Sequence, residues 1–230
     1  MNTRDTLITD LNVLADFKPV LPESYQSAKY LMLGNLDPVV QSSVIAQLRE
    51  RPRLVVLDTM NFWMTSAMPE LERVLRKIDV LLVNDSEARE LSGQFSLVKA
   101  AKEILKMGPR FLIIKKGEHG ALLFHHDQVF FAPALPLEEV FDPTGAGDSF
   151  AGGFIGHLAQ TQDLSFDNMK RAVIVGSALA SFCVEKFGPN RLKEISKEEF
   201  EKEVGYWYFN CFDEIRVLPE PTPPKRWAEY

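Results

Sequence analysis

The 230-residue sequence has little cysteine: only Cys183 and Cys211. Neither has a partner at metal-like spacing, and this usage fits a reducing cytoplasm. Cys183 sits in an apolar, helix-like run and reads as a buried thiol. No stretch of 18 apolar residues occurs, so no membrane span is indicated. The opening residues MNTRDTLITDLNVL carry no apolar leader core, which makes the cytoplasm the expected location. There is no long basic run, and the formal net charge is −6, so nucleic acid is not the expected main partner. No repeat or low-complexity block is present.

What is there suits one large α/β domain. Hydrophobic residues make up 46% and charged residues 25%, enough apolar material for a sizeable core. Runs that are apolar at nearly every position alternate with amphipathic helical patterns. YLMLG (30–34), LVVLD (54–58), VLLVN (80–84) and FLIIKKG (111–117) read as buried strands. Residues 37–50 read as a helix with Val39, Val40, Ile45 and Leu48 on one side, and 97–107, 147–160 and 166–186 as further helices. Residues 120–133 read as an edge hairpin around a polar turn. Ser196-Lys197-Glu198-Glu199 matches a capping box that starts another helix. The segment VLPEPTPPKRWAEY holds four of the 14 prolines and reads as an irregular tail. The expected architecture is a mostly parallel sheet covered by helices. Ligands of such sheets bind at the carboxyl ends of the strands. Gly34-Asn35, Asp58-Thr59, Asn84-Asp85 and Lys115-Lys116-Gly117 all fall at such ends.

The sharpest local signal is FDPTGAGDSFAGGF at 141–154. Gly145 and Gly147 flank Ala146 just before a helix, where a backbone without bulky side chains can cradle an anion. The helix N-terminus adds its dipole and unpaired N–H groups. Asp148 falls in the first turn. An acid beside an anion hole repels phosphate unless it has a chemical role, and accepting a proton from an attacking hydroxyl is such a role. On residue type alone, a simple helix start with a favourable acid is an equal reading.

Asp142, Thr144, Gly145, Ala146, Gly147 and Asp148 closely match the D-T-T-G-A-G-D signature of the ribokinase-like (PfkB) carbohydrate kinases, with Pro143 as the departure. The resemblance implies that Asp148 is the catalytic base and that Gly145, Ala146 and Gly147 form the anion hole for the transferred phosphoryl group. It implies a monovalent cation such as K+ near Asp142 and Thr144. Asn84-Asp85-Ser86-Glu87 resembles the family's N-x-x-E motif. By that likeness Glu87 is a Mg2+ ligand through water, and Asn84 helps place phosphate and metal. KKGEHG (115–120) resembles the family's nucleotide loop: Gly117 and Gly120 match, and Lys115 replaces the usual threonine but is kept as a candidate nucleotide contact, since its ammonium could reach a phosphate. ASFCVEKFG (180–188) resembles the turn around the adenine, with Gly188 matching.

The implied protein is an ATP- and Mg2+-dependent phosphotransferase acting on an alcohol of a sugar or nucleoside-like small molecule. The implied fold is a three-layer α/β/α domain over residues 1–195, with a C-terminal helix and tail at 196–230. Residues 3–20 resemble the segment just after the family's small lid sheet, so the lid and first strand are expected to be largely missing. Met1 then reads as an internal methionine of a longer protein, with a natural short form as the alternative. A lost central strand leaves apolar edges that favour association, such as a homodimer.

Rival readings have weaker support. Gly147-Asp148-Ser149 resembles a G-D-S esterase block, but Ser149 is expected inside a helix and no histidine occurs after His157. A dehydrogenase fingerprint fails because Phe150 occupies the third glycine position. A non-catalytic nucleotide-binding fragment stays open. His125-His126 reads as a solvated turn, and His119 carries no specific chemistry. Asp58 either lines the site or caps the segment after it. The aromatic cluster Tyr206-Trp207-Tyr208-Phe209 with Phe212 reads as a helix packed on the core, or else as a dimer contact.

Overall fold

A computed structural model describes the backbone of residues 9–208 and the side chains of residues 9–205. The aromatic cluster from Tyr206 onward, Cys211 and the proline-rich tail lie outside the described side chains. Six strands form one sheet in the order β1 (Tyr30–Leu33), β2 (Leu54–Asp58), β3 (Val80–Asn84), β4 (Phe111–Lys115), β5 (Ala121–His125), β6 (Gln128–Ala132). β1 to β4 are parallel, and β5 and β6 continue the sheet antiparallel. The expected hairpin is therefore at the sheet edge, turning at His126, whose φ of 48° is left-handed. His125 stacks on Phe111 instead of facing only solvent, and its Nδ1 pairs with the Arg110 carbonyl.

Strands apolar at every position are buried on both faces, and the period of two sorts their side chains. Leu54, Val56, Val80, Leu82 and Ile113 pack against α6 (Ala146–Thr161) and α7 (Phe166–Val184). Val55, Leu57, Leu81, Val83 and Leu112 face the other way. There they meet α3 (Met68–Leu75), α4 (Asp85–Ser92) and α5 (Leu97–Lys106). The result is the expected three-layer α/β/α sandwich. α1 (Pro38–Ala46), α2 (Asn61–Ser66), α8 (Asn190–Glu194) and α9 (Lys197–Tyr208) complete the helices among the described residues. α9 starts where the capping box places it: the Glu199 N–H donates to Ser196 Oγ at 3.1 Å. Phe200 and Val204 of that helix pack on the core.

Two expectations need correction. The helix read over 37–50 stops at Ala46, and Val39 is 58% exposed. Ile45 does pack on the core, as expected, but the buried positions are Pro38 and Gln41, whose Nε2 donates to the Gly34 carbonyl at 2.8 Å. The strand read over 111–117 ends at Lys115, since Gly117 turns left-handed (φ 54°) into a single 3-10 turn.

At the amino end of β3, buried Asp79 accepts a hydrogen bond from the Val55 N–H at 2.9 Å. Arg51 and Arg110 pair with the same carboxylate from the surface. This locks β2 to β3, and so sets the alignment of their carboxyl ends.

Candidate active site

Gly145 caps α6 in a left-handed conformation (φ 83°) that a side chain disfavours, and the turn after it opens the helix. The first helical bond of α6 runs from the Ser149 N–H to the Gly145 carbonyl at 2.8 Å. The N–H groups of Gly147 and Asp148, in the turn before it, have no intrahelical acceptor. Asp148 is exposed in this turn.

The loop entering α6 is held by the end of α7. The Phe141 N–H donates to the Val184 carbonyl at 2.9 Å, and Cys183 Sγ lies 3.7 Å from the Thr144 carbonyl. Cys183 is the buried thiol expected from its apolar run. Asp142 Oδ1 accepts the Thr144 N–H at 2.9 Å. That bond, with a further contribution from the Gly188 N–H, holds the Asp142 carboxyl below the usual carboxylate range. Asp142, Thr144 and Gly188 thus meet around one loop.

The strand ends converge on the same place. Asp58 ends β2, Asn84 ends β3 and Lys115 ends β4. All three continue the face that packs on α6 and α7, by the alternation of Val56, Leu82 and Ile113 before them. Lys115 Nζ donates to Asp58 Oδ1 at 2.8 Å, and the two side chains are only 18% and 10% exposed. A Cβ built on Gly147 would stand 3.1 Å from Lys115 Nζ and 3.8 Å from Asp58 Oδ2. Burial raises the Asp58 carboxyl above its usual range. The Lys115 charge and hydrogen bond offset part of that rise, and the negative charge of Asp148 adds to it. The glycine turn, Lys115, Asp58 and Asp148 therefore share one small space.

Asn84 and Glu87 form a reciprocal capping box. The Glu87 N–H donates to Asn84 Oδ1 at 2.8 Å, and the Asn84 N–H to Glu87 Oε2 at 2.7 Å. The sequence pattern thus has a structural task as well as the one inferred from resemblance. Among the described residues, no three His, Cys, Asp or Glu side chains gather as a metal site. Glu87 offers the kind of hard oxygen donor that Mg2+ takes, usually one or two carboxylates together with waters and substrate phosphates.

Gly117 and Gly120 bound the 3-10 turn after β4, on the side of the sheet toward β5. Gly120 has a packing reason of its own. Its φ is 84°, and a Cβ there would stand 2.0 Å from the Ala132 carbonyl. On the opposite side, a cavity of about 220 Å³ opens past the ends of β1 and β2, lined by Leu14, Asn35, Met60, Phe62 and Trp63 among others. Trp63 Nε1 donates to Asn35 Oδ1 at 2.9 Å, which fixes the indole. Ser149 has no helical route to a histidine base. His157 lies eight residues further along α6, about 12 Å at a helical rise, and its Nε2 pairs with Asn168 Oδ1.

The sequence alone leaves Asp58 undecided between two roles and gives no reason to single out Thr59. The Thr59 hydroxyl is buried beside Asp58 without a hydrogen-bond partner in the structure. A carboxylate closing a run of buried apolar residues is the available signal for Asp58; Thr59 has no comparable signal.

A family model described as pfkB family carbohydrate kinase matches residues 2–195. The chain belongs to that family. Among curated relatives, the cytidine kinase of Thermococcus kodakarensis is 28% identical over 171 residues, covering 73% of this chain and 59% of the relative. The nucleoside kinase of Methanothermobacter thermautotrophicus is 29% identical over 186 residues, covering 80% and 57%. The solved aminoimidazole riboside kinase of Salmonella enterica, complexed with aminoimidazole riboside and an ATP analogue, superposes with a TM-score of 0.66. It is 21% identical, over 77% of this chain and 63% of that one, and so speaks for the fold alone. The chain spans less than two thirds of the length of each of these proteins.

Proposed function

We propose that this pfkB-family chain carries the phosphoryl-transfer centre of an ATP-dependent kinase acting on a hydroxyl of a nucleoside or sugar. The observation that carries the reading is Asp148 in the first turn of α6, directly after the Gly145–Gly147 turn, whose Gly147 lies against Lys115. Similarity to the cytidine and nucleoside kinases supports a nucleoside as the acceptor.

In this reading Asp148 takes the proton of the acceptor hydroxyl. The acceptor oxygen forms a bond to the γ-phosphorus, the bond from that phosphorus to the β–γ bridging oxygen breaks, and ADP leaves with the electron pair. The proton on Asp148 passes to solvent. The Gly147 and Asp148 N–H groups and the α6 dipole stabilise charge on the transferring oxygens. Mg2+, when bound, would neutralise the phosphate oxygens. By resemblance to the family's N-x-x-E motif, Glu87 would hold it through water, and Asn84 would help place the phosphates. Asp142 and Thr144 shape the loop and would take a monovalent cation such as K+. Gly117, Gly120 and Gly188 would border the nucleotide, and the cavity beside Asn35 and Trp63 would take the acceptor.

The test is ADP release by the full chain with Mg-ATP against a panel of nucleosides and free sugars. Acceptor-dependent ADP release with a phosphorylated product is expected. Hydrolysis or turnover with no phosphorylated acceptor in any arm contradicts the reading.

A further inference from the structure

The Asp58–Lys115 pair has no task in the mechanism just described, yet it is built into the centre of it. Ion pairs at strand ends are ordinarily exposed and weak. This one is largely buried, and it bridges β2 and β4 across the end of β3. The wall facing the ammonium is Gly147, where even a methyl group would stand 3.1 Å from Nζ. Glycine at that position brings the lysine against the first-turn N–H groups of α6. A cation and backbone donors then border one space, the composition of an anion site. Lysine is a compact charge on a flexible stem, so its place depends on what holds it. Asp58 Oδ1 is that anchor, 57 residues away in sequence.

We propose that Asp58 is a positioning residue that holds Lys115 against the Gly147 turn, where the ammonium contacts the phosphoryl group being transferred. This rests on the kinase reading above. The lysine acts by charge alone and exchanges no proton with the phosphoryl group. It also offsets the repulsion that Asp58 and Asp148 exert on an incoming phosphate.

A contact to the terminal phosphate distinguishes ATP from ADP, whereas a purely structural ion pair does not. Calorimetric titration of the full chain with Mg-ATP and Mg-ADP is therefore the test, on wild type, K115M, K115R, D58N and the K115M/D58N double variant, with thermal melts as the folding control. In K115M, ATP affinity is expected to fall about 10-fold or more, with ADP affinity little changed. D58N is expected to move the ATP-to-ADP ratio the same way. The double variant should be no worse than K115M, and K115R should regain part of the preference. If the folded K115M and K115R keep the wild-type ratio and only melt earlier, the pair is structural and the proposal falls alone. If wild type binds both nucleotides equally, the proposal likewise falls alone. If wild type binds neither, the kinase reading falls and takes the proposal with it. Should D58N fail to fold, K115M and K115R still decide the lysine contact, and D58E decides the anchor by whether it restores the ratio.

Discussion

Asp58 Oδ1 and Lys115 Nζ stand 2.8 Å apart although β3 runs between their strands. The pair leans over the end of β3 toward the start of α6, and Asp58 also feels Asp148. Burial is the largest influence on the Asp58 carboxyl and raises it above the unfolded value. A carboxyl that is easier to protonate when folded contributes stability below the unfolded value of about 3.9, and loses that contribution as pH rises through the raised value. The stability of wild type relative to D58N should therefore decline from about pH 4 upward, then level off. Melting curves of both proteins across this range check it; a difference that rises with pH contradicts it.

Asp79 anchors the other end of the same strands. D79A removes the acceptor of the buried Val55 N–H, and a buried donor left unpaired costs roughly 1–3 kcal/mol. Arg51 and Arg110 are more than half exposed and can return to water. D79N keeps a carbonyl oxygen for the Val55 N–H and should lose less than D79A. Urea midpoints measure both, with the denaturant dependence unchanged.

Much of this architecture is legible in the sequence. Four strands show as apolar runs: β2, β3 and β4 because both of their faces are covered, and β1 although it is largely half-buried at the sheet edge. The hairpin, α5, α6 and α7 are equally visible. The short α2, α3 and α8 are not, since helices of five to eight residues carry too few turns to show a period. Val39 misleads because the inward face of α1 uses Gln41, a polar residue satisfied by the Gly34 carbonyl. The loop before Asp148 and the strand-end residues Asn84 and Lys115 stand out by motif. The contact of Lys115 with Asp58 does not, because it depends on strand order, which no local pattern reveals.

Gly120 stands out in the sequence as a nucleotide-loop residue, and its surroundings add a fold role. G120A would force a Cβ against the Ala132 carbonyl at a φ of 84°. A loss of about 1–3 kcal/mol is expected from the backbone strain alone. For a domain of this size that is a fall in melting temperature of several degrees. A melt equal to wild type would contradict the packing argument.

Glu87 has both a capping role and the proposed metal role, and two variants separate them. E87Q keeps an oxygen for the Asn84 N–H and removes the charge, so the melt should hold. The Mg2+ needed for half-maximal turnover should rise about 10-fold. E87A should lose the cap as well and melt earlier. An unchanged Mg2+ requirement in E87Q would leave Glu87 as a capping residue only.

The kinase reading stands or falls on Asp148 as the base. Turnover of D148N, measured beside its Mg-ATP affinity with the acceptor found by the panel, tests that role without an intermediate step. Turnover is expected to fall at least ~10²-fold with nucleotide affinity little changed. Near-native turnover in D148N would contradict the assignment of Asp148 as the base.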